Sequence, residues 1–369
     1  MSKKTLGRET GSNRYAITSG VDGAIGANLV VNISGCTFAN PVNGLGVTNA
    51  VGTVNSQQVV VNFSNSTITG MGQHGLVAST AVTGFQTFWN IGPNVTITGN
   101  SARGITATSG GASSTGQNIL ALNGTQAQPV TVVNCGNRGI RTELANATAT
   151  APRITNFDEV IVTDCGVYGL EFNEFDFQFG VTVDDSLFAR NGSAIAPLGG
   201  NVTVRDTNTA AGTGAFNRCT FYRAGRTTAT DASDHFSIGF SASDLLTFTF
   251  TDCIFAGDTG DLAIHLVDGQ TNTINLNNCA LVASGPDAIR PTPTLIEAAA
   301  TGCVINETGT VTANPIFIST GTNPVNASSF DVGANAYAGA GSVGQPNLSG
   351  WGDYIGGDVP VELSTFGAL

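Results

Sequence analysis

The chain has 369 residues, of which only 11% are charged, and a formal net charge of −12. So acidic a balance excludes an electrostatic footprint for nucleic acid and opposes binding to an anionic membrane surface. With 48 glycines, and lysine only at Lys3 and Lys4, the composition suits short strands joined by tight turns rather than helices rich in Ala, Leu, Glu and Lys.

In chain order, residues 1–27 are polar and Gly-rich, with one candidate strand at Tyr15-Ala-Ile-Thr18. They lack the apolar core of a signal peptide. Export is therefore expected to use a segment outside this chain, or none, as for a virion part. No apolar run reaches the ~18–20 residues needed for a bilayer span, so membrane insertion is not expected.

From residue 28 a unit recurs: an apolar residue, two turn-type residues, a small or apolar residue, any residue, then an apolar one. It begins as Ile33-Ser-Gly-Cys36-Thr-Phe38 and returns as Phe63-Ser-Asn-Ser66-Thr-Ile68 and, one residue longer, as Ile91-Gly-Pro-Asn-Val95-Thr-Ile97. Ala127-Gln-Pro-Val130-Thr-Val132, Phe157-Asp-Glu-Val160-Ile-Val162 and Val183-Asp-Asp-Ser186-Leu-Phe188 follow. Phe216 to Phe221, Phe250 to Phe255, Leu276 to Leu281 and Ala300 to Ile305 complete the series. Successive copies are 30, 29, 35, 30, 26, 33, 34, 26 and 24 residues apart. The unit is constant and the intervals vary, as expected when short strands stack and loops absorb the difference. Alternation turns one face inward, and two residues then make a corner. The second corner residue is usually Gly, Asn or Asp, as at Gly35, Asn65 and Asp185, types that tolerate a left-handed backbone.

A second unit, a small residue followed by an apolar one, trails by roughly nine residues, within the length of one short strand plus a turn. It is Gly44-Leu45, Gly75-Leu76, Gly104-Ile105, Gly139-Ile140, Gly169-Leu170, Ala194-Ile195, Ala263-Ile264 and Ala288-Ile289, with a weaker form at Ser237-Ile238. The expectation is an all-β fold: one parallel solenoid of about ten coils over residues 28–306, after an N-terminal segment or cap at 1–27. Residues 307–369 break the period and are expected as an irregular C-terminal tail, packed on the solenoid or docked on a neighbouring subunit.

Phrases such as Val95-Thr-Ile-Thr-Gly-Asn100 and Asn134-Cys-Gly-Asn-Arg-Gly-Ile140 resemble the coil repeat of the right-handed parallel β-helix (pectate-lyase-like) superfamily. The resemblance covers about residues 28–306 and implies the fold and its right hand. It does not single out an activity, since that superfamily hosts lyases, hydrolases, adhesins and structural proteins.

The resemblance also implies where a site would lie, because enzymes of the superfamily carry an acidic polysaccharide across the broad sheet face. The outward column one residue past the second unit reads Gly46, Val77, Thr106, Arg141, Glu171, Ala196, Gly239, His265 and Arg290. Arg141 and Glu171 are expected side by side on adjacent coils, with Glu143 and Asn173 close by. Arginine beside carboxylates can neutralise a uronate and abstract a proton, or two carboxylates can cleave a glycoside; these three, Arg141, Glu143 and Glu171, are the catalytic candidates. The plainer alternative is a cross-strand ion pair. Arg103 and Arg138 share a repeat position and are expected as a solvated turn column.

Glu174 and Asp176 fall in the acidic, Phe-rich stretch 171–179 and are the candidate ligands for calcium, which takes at least six oxygens; no other cofactor is indicated. Phe residues of the same stretch can equally stack on sugar rings. Five of the seven cysteines (36, 219, 253, 279 and 303) share one inward position, and Cys135 and Cys165 another. They are expected as buried thiols, since a disulfide also needs the right torsion.

Three functions fit. One is a structural or adhesive protein, extracellular, on a cell surface or in a virion, self-assembling into a homo-oligomer or filament through its solenoid ends. The second is a polysaccharide lyase or glycoside hydrolase. The third is a trimeric tailspike-type protein that binds carbohydrate.

Overall fold

A computed structural model describes residues 15–19, 28–39, 43–48, 58–80, 86–109, 117–144, 152–173, 177–192, 200–205, 211–222, 234–238, 246–257, 262–266, 272–277, 279–283, 296–298 and 304–308. Their strands form three parallel sheets of ten, ten and nine strands. Each coil runs from a strand of sheet B, such as Gln58–Ser64, through a corner to a strand of sheet C, Ser66–Thr69, and then to sheet A, His74–Thr80. A loop leads to the next sheet B strand, Gln86–Ile91. The chain is a parallel β-solenoid, the class to which its repeat points.

Inward positions stack in columns. In sheet A, Leu76, Ile105, Ile140, Leu170, Val202, Phe236 and Ile264 follow one another coil by coil. In sheet C, Phe188, Phe221 and Phe255 stack with centroids 5.5 and 4.6 Å apart. These side chains have essentially no contact with water, and burying each stabilises the fold by about 1.5–3 kcal/mol. Outward positions of sheet B carry amide ladders: Asn62 donates to Asn32 at 2.6 Å, and Asn90 to Asn62 at 2.7 Å.

The corners follow the expected chemistry and extend it. Gly35, Asn65, Asn94, Asp185 and Asp252 have φ between 45° and 67°. Glu159 and Arg218 do as well, at 54° and 52°, although neither type favours that region. Glycine in the second unit has a different cause. A Cβ at Gly104 would lie 2.7 Å from the Gly139 carbonyl oxygen, and one at Gly139 would lie 2.6 Å from that of Gly169. Consecutive coils approach too closely there for any side chain.

The register corrects several expectations. Sheet A already contains Tyr15–Ser19, paired with Asn43–Thr48, so the stack begins inside the segment expected as a cap. In the fourth copy the sheet B strand is Gln117–Asn123, with Leu122 inward opposite Ile91. Ala127 lies in a turn that follows it. In the last copy, Val304–Thr308 pairs with Thr273–Asn277 and places Ile305 beside Ile274 in sheet B. It was expected past the corner, beside Leu281; the unusually short final interval was the mark of that misplacement. Six cysteines are described and all are free thiols. Burial pushes Cys165, Cys253 and Cys279 well above the ordinary thiol range, and their S–H groups approach backbone carbonyls, as Cys253 does that of Phe216 at 3.3 Å. Cys303 lies outside the described residues.

Candidate functional site

The outward face of sheet A brings Arg141, Glu143 and Glu171 together. Arg141 and Glu171 are register partners on adjacent coils, and Glu143 is opposite Asn173. The next strand is Gly200–Arg205, which sets Thr203 beside Glu171 and Arg205 beside Asn173. Ser237, His265 and Glu297 continue the column. Thr203, Ser237 and Glu297 thus stand where Ala196, Gly239 and Arg290 were expected. Asn201-Val202 in this coil and His235-Phe236 in the next stand where most coils have the small-apolar pair.

The Glu171 side chain is fully buried. Arg141 Nε lies 2.9 Å from its Oε2, Arg138 Nη2 donates to its Oε1 at 3.3 Å, and Arg138 Nε also contacts Oε2. Arg205 Nη1 is 3.6 Å from Oε1. Glu143 joins the group through Arg141 Nη2 at 3.0 Å and Arg103 Nη1 at 3.5 Å. Arg103 and Arg138, expected as a solvated column, are therefore members of an ion-pair network. Arg138 also lies over the Tyr168 ring, 5.7 Å from its centroid. Burial pulls the Arg103 and Arg141 guanidiniums below their ordinary value, Glu171 and Glu143 pulling the other way.

His74 is the register partner of Arg103. Burial, then the charges of Arg103 and Arg141, lower its pKa to about 4, so it is neutral near pH 7. Within this network four arginines face two glutamates, an excess of two positive charges in an acidic protein. The arrangement can attract an anion. Its carboxylates, however, are each held by two or more arginines.

A second feature lies on sheet B. Arg153–Asp158 and Val181–Asp184 are neighbours that pair only at Asp158 and Asp184. The short turn Phe177–Phe179 precedes the second of these strands. Phe177 is buried and meets Phe172 and Phe248 edge-on at 5.4 and 5.5 Å. Phe179 is 58% exposed and carries the Arg153 guanidinium 4.2 Å above its ring. Arg153, Phe179 and the hydroxyl-bearing Thr155, Thr182, Thr213 and Thr249 line a pocket of about 420 Å³. The expected calcium ligands Glu174 and Asp176 lie outside the described residues.

The chain matches no protein family, no curated protein and no solved structure. Among the described residues no helix is long and apolar enough to cross a membrane.

Proposed function

We propose that this chain is a non-catalytic β-solenoid serving as a rigid structural or adhesive element at a cell surface, in a virion or outside the cell. The observation that carries this reading is the state of Glu171. A carboxylate that is fully buried and held by Arg138, Arg141 and Arg205 fixes three arginines and joins adjacent coils. A lyase or hydrolase needs a carboxylate that can take or give a proton at the substrate. On this face both carboxylates are instead engaged by arginines, Glu171 by Arg138, Arg141 and Arg205 and Glu143 by Arg103 and Arg141. Each sheet also presents a terminal strand at both ends among the described residues, and strand edges favour pairing with another copy. Negative-stain microscopy of the purified protein tests the reading: rods, rings or filaments are expected. Release of unsaturated uronides from polygalacturonate, lost in Arg141→Ala, would overturn it.

A carbohydrate-binding role is supported by a separate observation, the sheet B pocket. An exposed aromatic ring beside threonine hydroxyls and an arginine offers both a stacking surface and hydrogen-bonding groups for a sugar. Retention on immobilised oligosaccharides, lost in Phe179→Ala, is the expected result. Equal retention of the variant would contradict it.

A further inference from the structure

The corner between sheets B and C carries a cluster that neither feature above includes. Asp158 and Glu159 form the corner of one coil, and Asp184 and Asp185 that of the next. One carboxylate oxygen each from Asp158, Glu159 and Asp185 lies within 4.8 Å of the others. Glu159 is only 5% exposed, and its Oε2 is buried with no hydrogen-bond partner. A buried carboxylate oxygen without a donor is costly unless a proton or a cation meets it.

The surroundings do not supply enough positive charge. Arg218, at the corner of the following coil, donates to Asp185 from Nε and Nη2, both at 2.7 Å. Its Nη2 is also 3.7 Å from Asp184 Oδ1, which accepts from Asn217 Nδ2 at 2.9 Å. One guanidinium is thus the positive charge at a corner of four carboxylates, and it engages Asp185 and Asp184. Glu159 holds a left-handed φ of 54°, and its carbonyl oxygen and Cβ stand 2.2 and 2.8 Å from where a Cβ on Gly124 would be. Gly124 thus admits Glu159 into the corner.

We propose that Asp158, Glu159 and Asp185 bind a divalent cation of the calcium class. Calcium takes 6–8 oxygens, typically 2.3–2.6 Å away, and is content with a mixture of carboxylates and water. Three carboxylates supply the anionic part, and the half-buried Asp158 faces solvent that can complete the shell. The softer metals want thiolate or imidazole, and neither belongs to the cluster. The cation joins two consecutive corners, where Arg190 bridging to Asp164 does the same on the other side of sheet C.

The test is calcium titration of chelator-stripped full-length protein, followed by calorimetry and by thermal melting. Wild type is expected to bind one calcium ion through this corner and to melt at a higher temperature in calcium than in chelator. Glu159→Gln keeps the shape of the side chain and is expected to weaken binding at least ~10-fold, since one charged ligand in a small set is lost. Asp158→Asn is expected to weaken it as well, which guards against a folding defect peculiar to either variant. The proposal is overturned if wild type shows no calcium-dependent shift up to about 10 mM, above the range of weak extracellular sites. Unchanged affinity in both variants overturns it too. An equal response to magnesium overturns the calcium assignment.

Discussion

Glu171 and Glu159 are both buried glutamates in a stack of coils, and their settings are opposite. Glu171 meets three arginines contributed by its own coil's neighbours on either side. Glu159 meets Asp158 and Asp185. Burial, followed by the charges of Asp185 and Asp158, pushes its pKa up to about 8. A solenoid repeats its backbone from coil to coil, so a side chain's chemistry depends on which residue the next coil places beside it. Equal burial thus yields an arginine-paired carboxylate at one position and a proton- or cation-demanding one at the other.

The largest expected effect comes from removing the anion that the arginines need. Glu171→Gln leaves Arg138, Arg141 and Arg205 without their shared partner and is expected to cost about 3–5 kcal/mol, read by urea unfolding of the full chain. Because repeat proteins lose stability locally, hydrogen exchange should show the loss centred on the strands 138–144, 168–173 and 200–205. A smaller loss, about 1–3 kcal/mol, is expected for Gly139→Ala, whose new methyl meets the Gly169 carbonyl and the Val162 side chain.

How far this was legible in the sequence follows from what each signal reports. Inward alternation and the Gly, Asn and Asp corners were readable, because burial and left-handed backbone each demand particular residue types. The pairing of Arg141 with Glu171 was readable because the flanking Gly-apolar units fix the register on both coils. Arg205 was hidden: its coil has Asn201-Val202 in place of Gly-apolar, and a neighbouring Ala194-Ile195 imitates the unit. The roles of Arg103 and Arg138 were missed because a repeat position says where a side chain starts, not how far it reaches. Glu159 and Arg218 sit at corners where their types are disfavoured, and that mismatch was the available sign of a special role.

The two remaining expectations concern pH. Between the ordinary glutamate value of 4.5 and about 8, Glu159 binds its proton more tightly in the folded chain than in the unfolded one. In chelator its contribution to stability is therefore full at low pH and declines as pH rises through that window. Glu159→Gln should flatten that decline, as measured by urea midpoints across the window. His74 works the other way and more weakly. Its folded pKa of about 4 lies below its ordinary 6.5, so the unfolded chain takes up the proton first. Stability is lost as pH falls from 6.5 toward 4, and His74→Gln should reduce that loss.

The contrast is tested most directly by making the same substitution at both glutamates. Urea unfolding of Glu171→Gln and Glu159→Gln is compared with wild type in chelator at about pH 9, where an unpaired Glu159 is ionised in wild type. The account predicts opposite signs: Glu171→Gln lowers stability and Glu159→Gln raises it. Loss of stability in both, or no loss in Glu171→Gln, would contradict it.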